Sequence, residues 1–109
     1  MERQIEGFDY TVDELGNVCN KRGRRLKPRP NTNGYAQVLL CKNGKVIPRC
    51  IHNLVMEAFV GSKPKGYDVD HINFDRADNR LENLRYVPIH YNRGYGKKKW
   101  AETHSYSTT

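Results

Sequence analysis

The stretch DVDHINFDRADNRLENLRYVPIHYNR, residues 68–93, decides how this chain is read. It opens on a short β-rich run, DVDHI, and passes into the polar segment NFDRADNRLEN. A second β-rich run, LRYVP, follows, and IHYNR has the look of a helix start. Asn and Asp are the usual residues of turns, so the polar segment has a plain reading as a surface loop. The pair Asp70-His71, set where the first run enters that loop, opens a second reading, as a site that does chemistry.

Hydrolysis of a phosphodiester needs a base for water, a cation to neutralise phosphate and leaving oxygen, and a group that holds the base. Neighbours on an ideal strand point to opposite faces, but twist at a strand end lets both reach one site. His71 has the pKa range of a general base, and Asp70 is a hard oxygen donor suited to Mg²⁺ or Mn²⁺. The helix start offers His90 and Asn92 as a second ligand; lying about 200° apart on a helix, they cannot both face one metal.

Outward from this segment the chain is rich in hairpin signals. FDYTVDELGNVCN alternates and turns at Gly16-Asn17. KRGRRLKPRPNTNG, with its Pro, Gly and basic residues, predicts a connecting loop with exposed cations. YAQVLLCKNGKVIPRCI predicts the strongest hairpin, because Asn43-Gly44 tolerates positive φ at both turn centres. Pro48 lacks an N–H, which puts the second strand of that hairpin at an edge or a bulge. Leu54, Val55, Ala58 and Phe59 then form the apolar stripe of a short helix, with Gly61 as its stop. Gly94 and Gly96 shorten any helix after residue 90, and KKKWAETHSYSTT reads as a loose basic tail. The fold class expected is α+β.

A length of 109 residues, 37% of them hydrophobic, suits one small domain with a modest core. There is no bilayer-length apolar run, and the polar start MERQIEGFDY lacks a secretory h-region, so a cytoplasmic protein is expected. Cys19, Cys41 and Cys50 are odd in number with no C-x-x-C spacing; they are read as small apolar strand residues, neither a zinc site nor a disulfide framework. The net charge is +7, and residues 15–56 hold no Asp or Glu but nine Lys and Arg. A field of one sign over that length fits a polyanionic partner, nucleic acid above all.

In order and spacing, VDHIN, DNRLENLRYV and HYNR resemble the HNH endonucleases, specifically the phage and intron homing type with a ββα-metal fold. The likeness extends upstream: residues 7–45 look like the N-terminal nuclease-associated module of such proteins, and CIHNLVMEAFVG like the helix that joins it to the core. The resemblance covers roughly residues 6–93 and implies a β-hairpin-rich N-terminal part, a short connecting helix and then a ββα-metal motif. It implies a DNA-contacting module over 1–50, a nuclease core with its leading helix over 51–96 and a basic tail over 97–109.

By that likeness His71 is the general base and Asp70 a metal ligand. Asn83 is the middle Asn that fixes the loop and orients the His71 ring, and Asn92 is the second ligand with His90 as rival. One divalent ion is implied, Mg²⁺ or Mn²⁺ with Asn92, and Zn²⁺, Ni²⁺ or Co²⁺ if His90 ligates. Arg24, Arg25, Lys27, Arg29 and Arg93 are expected on backbone phosphates and Arg85 on the scissile phosphate. The implied activity is metal-dependent DNA cleavage, nicking one strand per site, with a monomer favoured over a dimer. The separate C-terminal DNA-reading module of longer relatives is expected to be missing, so specificity is low or supplied by a partner such as another phage protein. Two other readings stand beside it: a DNA-binding protein without catalysis on the same scaffold, and an RNA-cleaving or toxin-like nuclease.

Overall fold

The computed structural model describes residues 1–89. Among them lie eight short strands, a nine-residue helix and a single 3₁₀ turn. The first sheet is antiparallel, in the order β1 (Glu2–Gln4), β2 (Tyr10–Asp13), β3 (Val18–Asn20). Its β2–β3 hairpin is the one expected, turning through Gly16 at φ +87°. β1 escapes sequence reading because its three residues, ERQ, are all exposed and carry no hydrophobic pattern.

The second sheet runs β4 (Arg29–Pro30), β5 (Ala36–Lys42), β6 (Lys45–Cys50). Asn43 at φ 53° and Gly44 at φ 77° make the two-residue turn of the β5–β6 hairpin, the conformation that Asn-Gly favours. β6 is an edge strand, which accommodates Pro48 opposite Leu39. The loop expected over residues 21–34 is mostly that, interrupted by β4 and by a single bridge between Cys19 and Arg25.

The helix α1 (Ile51–Phe59) follows β6 directly. The Gly61 N–H returns to the Met56 carbonyl at 2.9 Å, and Gly61 sits at φ +128°, so the glycine ends the helix as expected. The last pair is β7 (Tyr67–His71) and β8 (Leu84–Pro88), antiparallel, with the polar loop between them and a 3₁₀ turn over Leu81–Asn83. The helix expected after residue 89, with His90, Asn92 and Arg93, lies outside the described residues.

One apolar core runs through all three sheets. Val12 faces Val18 across β2 and β3, Val38 and Leu40 point inward from β5, and α1 covers them with Ile51, Leu54, Val55 and Met56. Val69 and Leu84 extend the same cluster into the β7–β8 pair. Each such side chain contributes about 1.5–3 kcal/mol on burial. The N-terminal sheets and the β7–β8 segment are thereby packed on one helix, which fixes the polar loop against them. No described helix is long and apolar enough to cross a membrane.

Candidate active site

β7 delivers Asp70 and His71 as neighbours at its C-terminal end, and both are buried, at 1% and 3% exposure. The strand register sets Asp70 opposite Arg85 and His71 opposite Leu84. Asp70 Oδ2 accepts a hydrogen bond from Arg85 Nε at 2.8 Å. Arg85 is 4% exposed. The guanidinium is drawn inward by the carboxylate directly across the ladder. A cross-strand pair of this kind aims one carboxylate edge through a charge-assisted bond.

The imidazole of His71 meets a different set of residues. Its Nε2 lies 2.8 Å from Asn79 Oδ1, a buried contact. The Asn79 amide nitrogen turns to the Ala77 carbonyl, 3.5 Å away, which sets the amide with its oxygen toward the ring. A carbonyl oxygen only accepts, so in this contact Nε2 is the donor and carries a proton. Tyr35 and His52 also stand against the ring, at centroid distances of 5.8 and 5.1 Å.

Asn83 works on the loop. Its Oδ1 accepts from the Asn73 N–H at 3.0 Å, while its amide nitrogen donates to Asn73 Oδ1 at 3.0 Å and to the Asp78 carbonyl at 2.9 Å. Its own carbonyl accepts from the Ile72 N–H. Both amide hydrogens are thus committed to the loop, and the amide that meets the His71 ring is that of Asn79, a residue the sequence reading did not single out. Asp78 adds to the closure: its carboxylate accepts from Asn73 and pairs with Arg80, which draws the Asp78 carboxyl down to about 2.

The N-terminal sheets buttress this loop from two sides. The Leu81 N–H donates to the Glu14 carbonyl at 2.7 Å, and a Cβ on Gly16 would lie 3.0 Å from the Asn79 carbonyl oxygen. From the second sheet, the Asn33 carbonyl accepts a hydrogen bond from Arg76, whose guanidinium lies over Tyr35 with Cζ 4.8 Å from the ring centroid.

A groove opens beside the loop. Arg25, Lys27 and Arg29 line it with Asn17, over a floor that includes Ile51, and it reaches Asn79. Three of the cations expected on phosphates therefore share one groove, which Asn79 also lines. Arg24 is exposed next to them but is not among the lining residues. An oxygen-preferring divalent ion suits the Asp70 carboxylate, which is buried and aimed by Arg85; the second expected ligand, Asn92 or its rival His90, lies outside the described residues, as does Arg93.

Residues 49–93 match the family model described as HNH endonuclease. An uncharacterized HNH endonuclease, L247, of Acanthamoeba polyphaga mimivirus is 41% identical over 90 residues, which are 79% of this chain and 23% of that protein. The DNA endonuclease I-HmuI of Bacillus phage SP01 is 33% identical over 88 residues, 78% of this chain and 51% of that one. The chain thus spans about half the length, or less, of these curated relatives. A solved structure described as DNA binding and cleavage by the HNH homing endonuclease I-HmuI superposes with a TM-score of 0.81 at 29% identity, over 98% of this chain and 62% of that one. Residues 49–93 are an HNH endonuclease domain, and the sequence and structural matches together set the chain among the homing-type HNH endonucleases.

Proposed function

We propose that the chain is a metal-dependent DNA endonuclease that hydrolyses a phosphodiester bond and nicks one strand per active site. The observation that carries this reading is the Nε2 contact of His71 with Asn79, beside Asp70, at the end of a strand inside the HNH-matched segment. DNA as substrate is supported by the name of the phage relative, a DNA endonuclease, and by the groove of Arg25, Lys27 and Arg29.

In this mechanism Asp70, with Asn92 or its rival His90, would hold one divalent ion, Mg²⁺ or Mn²⁺ for the oxygen set and Zn²⁺ or Ni²⁺ for the histidine. When bound, the ion supplies Lewis acidity to a phosphate oxygen and to the departing 3′-oxygen. His71 takes a proton from water, with its Nε2 turned to Asn79, and the water attacks in line with the leaving oxygen. Asn79 keeps the ring in that orientation, and Asn83 keeps the loop that carries Asn79. Arg85 acts by aiming Asp70. Arg25, Lys27 and Arg29, together with Arg24 and Arg93, hold backbone phosphates and so position the duplex.

In functional terms residues 1–50 are the DNA-contacting module, 51–96 the nuclease core and 97–109 a basic tail. The chain works as a monomer in the cytoplasm, where its DNA substrate lies. The test is conversion of supercoiled plasmid to open circle with Mg²⁺, Mn²⁺ or EDTA. Metal-dependent open circle without early linear product supports the reading. Intact plasmid under every metal, with DNA still shifted on a gel, would leave only a binding protein.

A further inference from the structure

Leu15 is a large apolar residue at the tip of the β2–β3 turn, and it is 61% exposed. The turn is tied together internally. The Asp13 carboxylate accepts from the N–H groups of Leu15 and Asn17 at 3.0 and 2.8 Å, and the Gly16 N–H donates to the Asp13 carbonyl at 3.1 Å. The residues on either side of Leu15 are seated on the polar loop of the nuclease segment. The Glu14 carbonyl accepts from the Leu81 N–H, and Gly16 passes so close to Asn79 that a Cβ would meet its carbonyl oxygen at 3.0 Å. The backbone of Leu15 is therefore held from both sides while its side chain stays at the surface.

A single exposed leucine is ordinary on a protein surface, so its placement is what matters. Leu15 lines the cationic groove with Arg25, Lys27 and Arg29, and Asn79, whose side chain meets His71 Nε2, lines it too. The negative charge of the turn is committed elsewhere: Asp13 to the N–H groups of the turn, and Glu14 to the Met1 ammonium. A groove walled by cations takes the phosphate backbone, and the leucine then meets what the backbones enclose. Apolar side chains in that position enter between stacked base pairs, partly unstack them and kink the duplex. Mounting matters for such a wedge. A side chain on a loose turn would fold away from the stack, and this one has its backbone fixed at both neighbours.

We propose that Leu15 is a wedge that enters between two base pairs of the bound duplex, partly unstacks them and bends the DNA toward the His71 site. This inference rests on the reading of DNA as the substrate. Leu15 acts on the shape of the duplex and leaves proton transfer to His71. It gives the first sheet a part in the reaction, because Leu15 lies outside the HNH-matched residues 49–93.

The experiment compares wild type, Leu15→Met and Leu15→Ser in the full chain, with two readouts. The first is the linking number of a plasmid relaxed by a metal-independent topoisomerase in EDTA, with the protein at saturation. The second is single-turnover nicking of a duplex that carries a mapped nick site, either fully paired or with a mismatched pair beside the cut. Wild type and Leu15→Met should shift the linking number, and Leu15→Ser should not. Leu15→Ser should nick the paired duplex about tenfold or more slowly and recover most of that loss on the mismatched one, where the step is already unstacked. A role in folding alone would slow both duplexes alike. The proposal is overturned by a wild-type protein that binds the plasmid without shifting its linking number. It is overturned equally by Leu15→Ser shifting it as wild type does, nicking the paired duplex at the wild-type rate, or nicking both duplexes equally slowly. If wild type cuts no DNA under any metal, the endonuclease reading fails on its own. The linking numbers in EDTA then decide the wedge: a shift lost in Leu15→Ser supports it, and no difference between the two proteins overturns it.

Discussion

Arg85 Nε lies 2.8 Å from Asp70 Oδ2, and the register of β7 against β8 sets the two residues directly opposite each other. Both side chains are almost wholly buried, so the pair is an internal charge contact and not a surface salt bridge. Such pairs add little net stability against an apolar substitute, yet removal of one partner is expensive. Arg85→Met should therefore lower unfolding free energy by about 3 kcal/mol, read by urea denaturation. Arg85→Lys should recover only part of it, since a point charge cannot present Nε in the same place. A neutral effect of Arg85→Met would show that the pair has no part in holding Asp70.

Gly16 ties the first sheet to the site. At φ +87° a side chain is strained, and a Cβ would meet the Asn79 carbonyl oxygen at 3.0 Å and the Asn79 Cβ at 3.2 Å. Gly16→Ala should cost about 1–2 kcal/mol from the backbone alone. It should also slow nicking, because the displaced residue is the one that holds His71. A variant as active as wild type, in spite of a lowered urea midpoint, would separate the turn from the chemistry.

His52 makes stability depend on pH. Burial, and then the neighbouring His71, hold its pKa down to about 4 from the ordinary 6.5. The folded protein keeps this ring neutral where the unfolded chain takes up a proton. Its contribution is complete above pH 6.5 and is lost as pH falls from 6.5 toward 4, by about 3 kcal/mol in all. Urea unfolding at pH 7.5, 5.5 and 4.5 should show this decline in wild type and a much flatter profile in His52→Phe. Parallel profiles for the two proteins would contradict it.

The groove predicts a change in binding with the chemistry intact. Replacing Arg25, Lys27 and Arg29 together by Gln should reduce the slope of log affinity against log salt by roughly three, one per phosphate contact. Nicking at saturating protein should stay near the wild-type rate. An unchanged slope, measured by fluorescence anisotropy, would move the DNA path elsewhere.

The strong local signals were readable in the chain itself. Asn43-Gly44 dictates its own turn, and the stripe Leu54, Val55, Ala58, Phe59 needs a helix whatever surrounds it. Asp70-His71 stood out because a strand entering a polar loop is where such a pair gains access to a substrate. Asn79 did not stand out, because the loop offers both Asn79 and Asn83 and only its folded path decides which amide reaches the ring. Tyr35 and His52 lie 36 and 19 positions before His71, and nothing local joins them to it. Arg85 was read as a contact to the scissile phosphate, and its pairing with Asp70 was not foreseen because charge alone does not reveal the register that sets the two opposite each other. The short strand β1 has no apolar residue, so its pairing depends entirely on β2 being there to receive it.

The account stands or falls on His71. The most direct measurement is single-turnover nicking of supercoiled plasmid by wild type and His71→Ala, each with Mg²⁺, Mn²⁺ or EDTA, with DNA affinity measured in parallel. The account predicts metal-dependent nicking by wild type and a loss of about a hundredfold or more in His71→Ala, with affinity nearly unchanged. Nicking by His71→Ala at the wild-type rate would contradict it and assign the base to another residue.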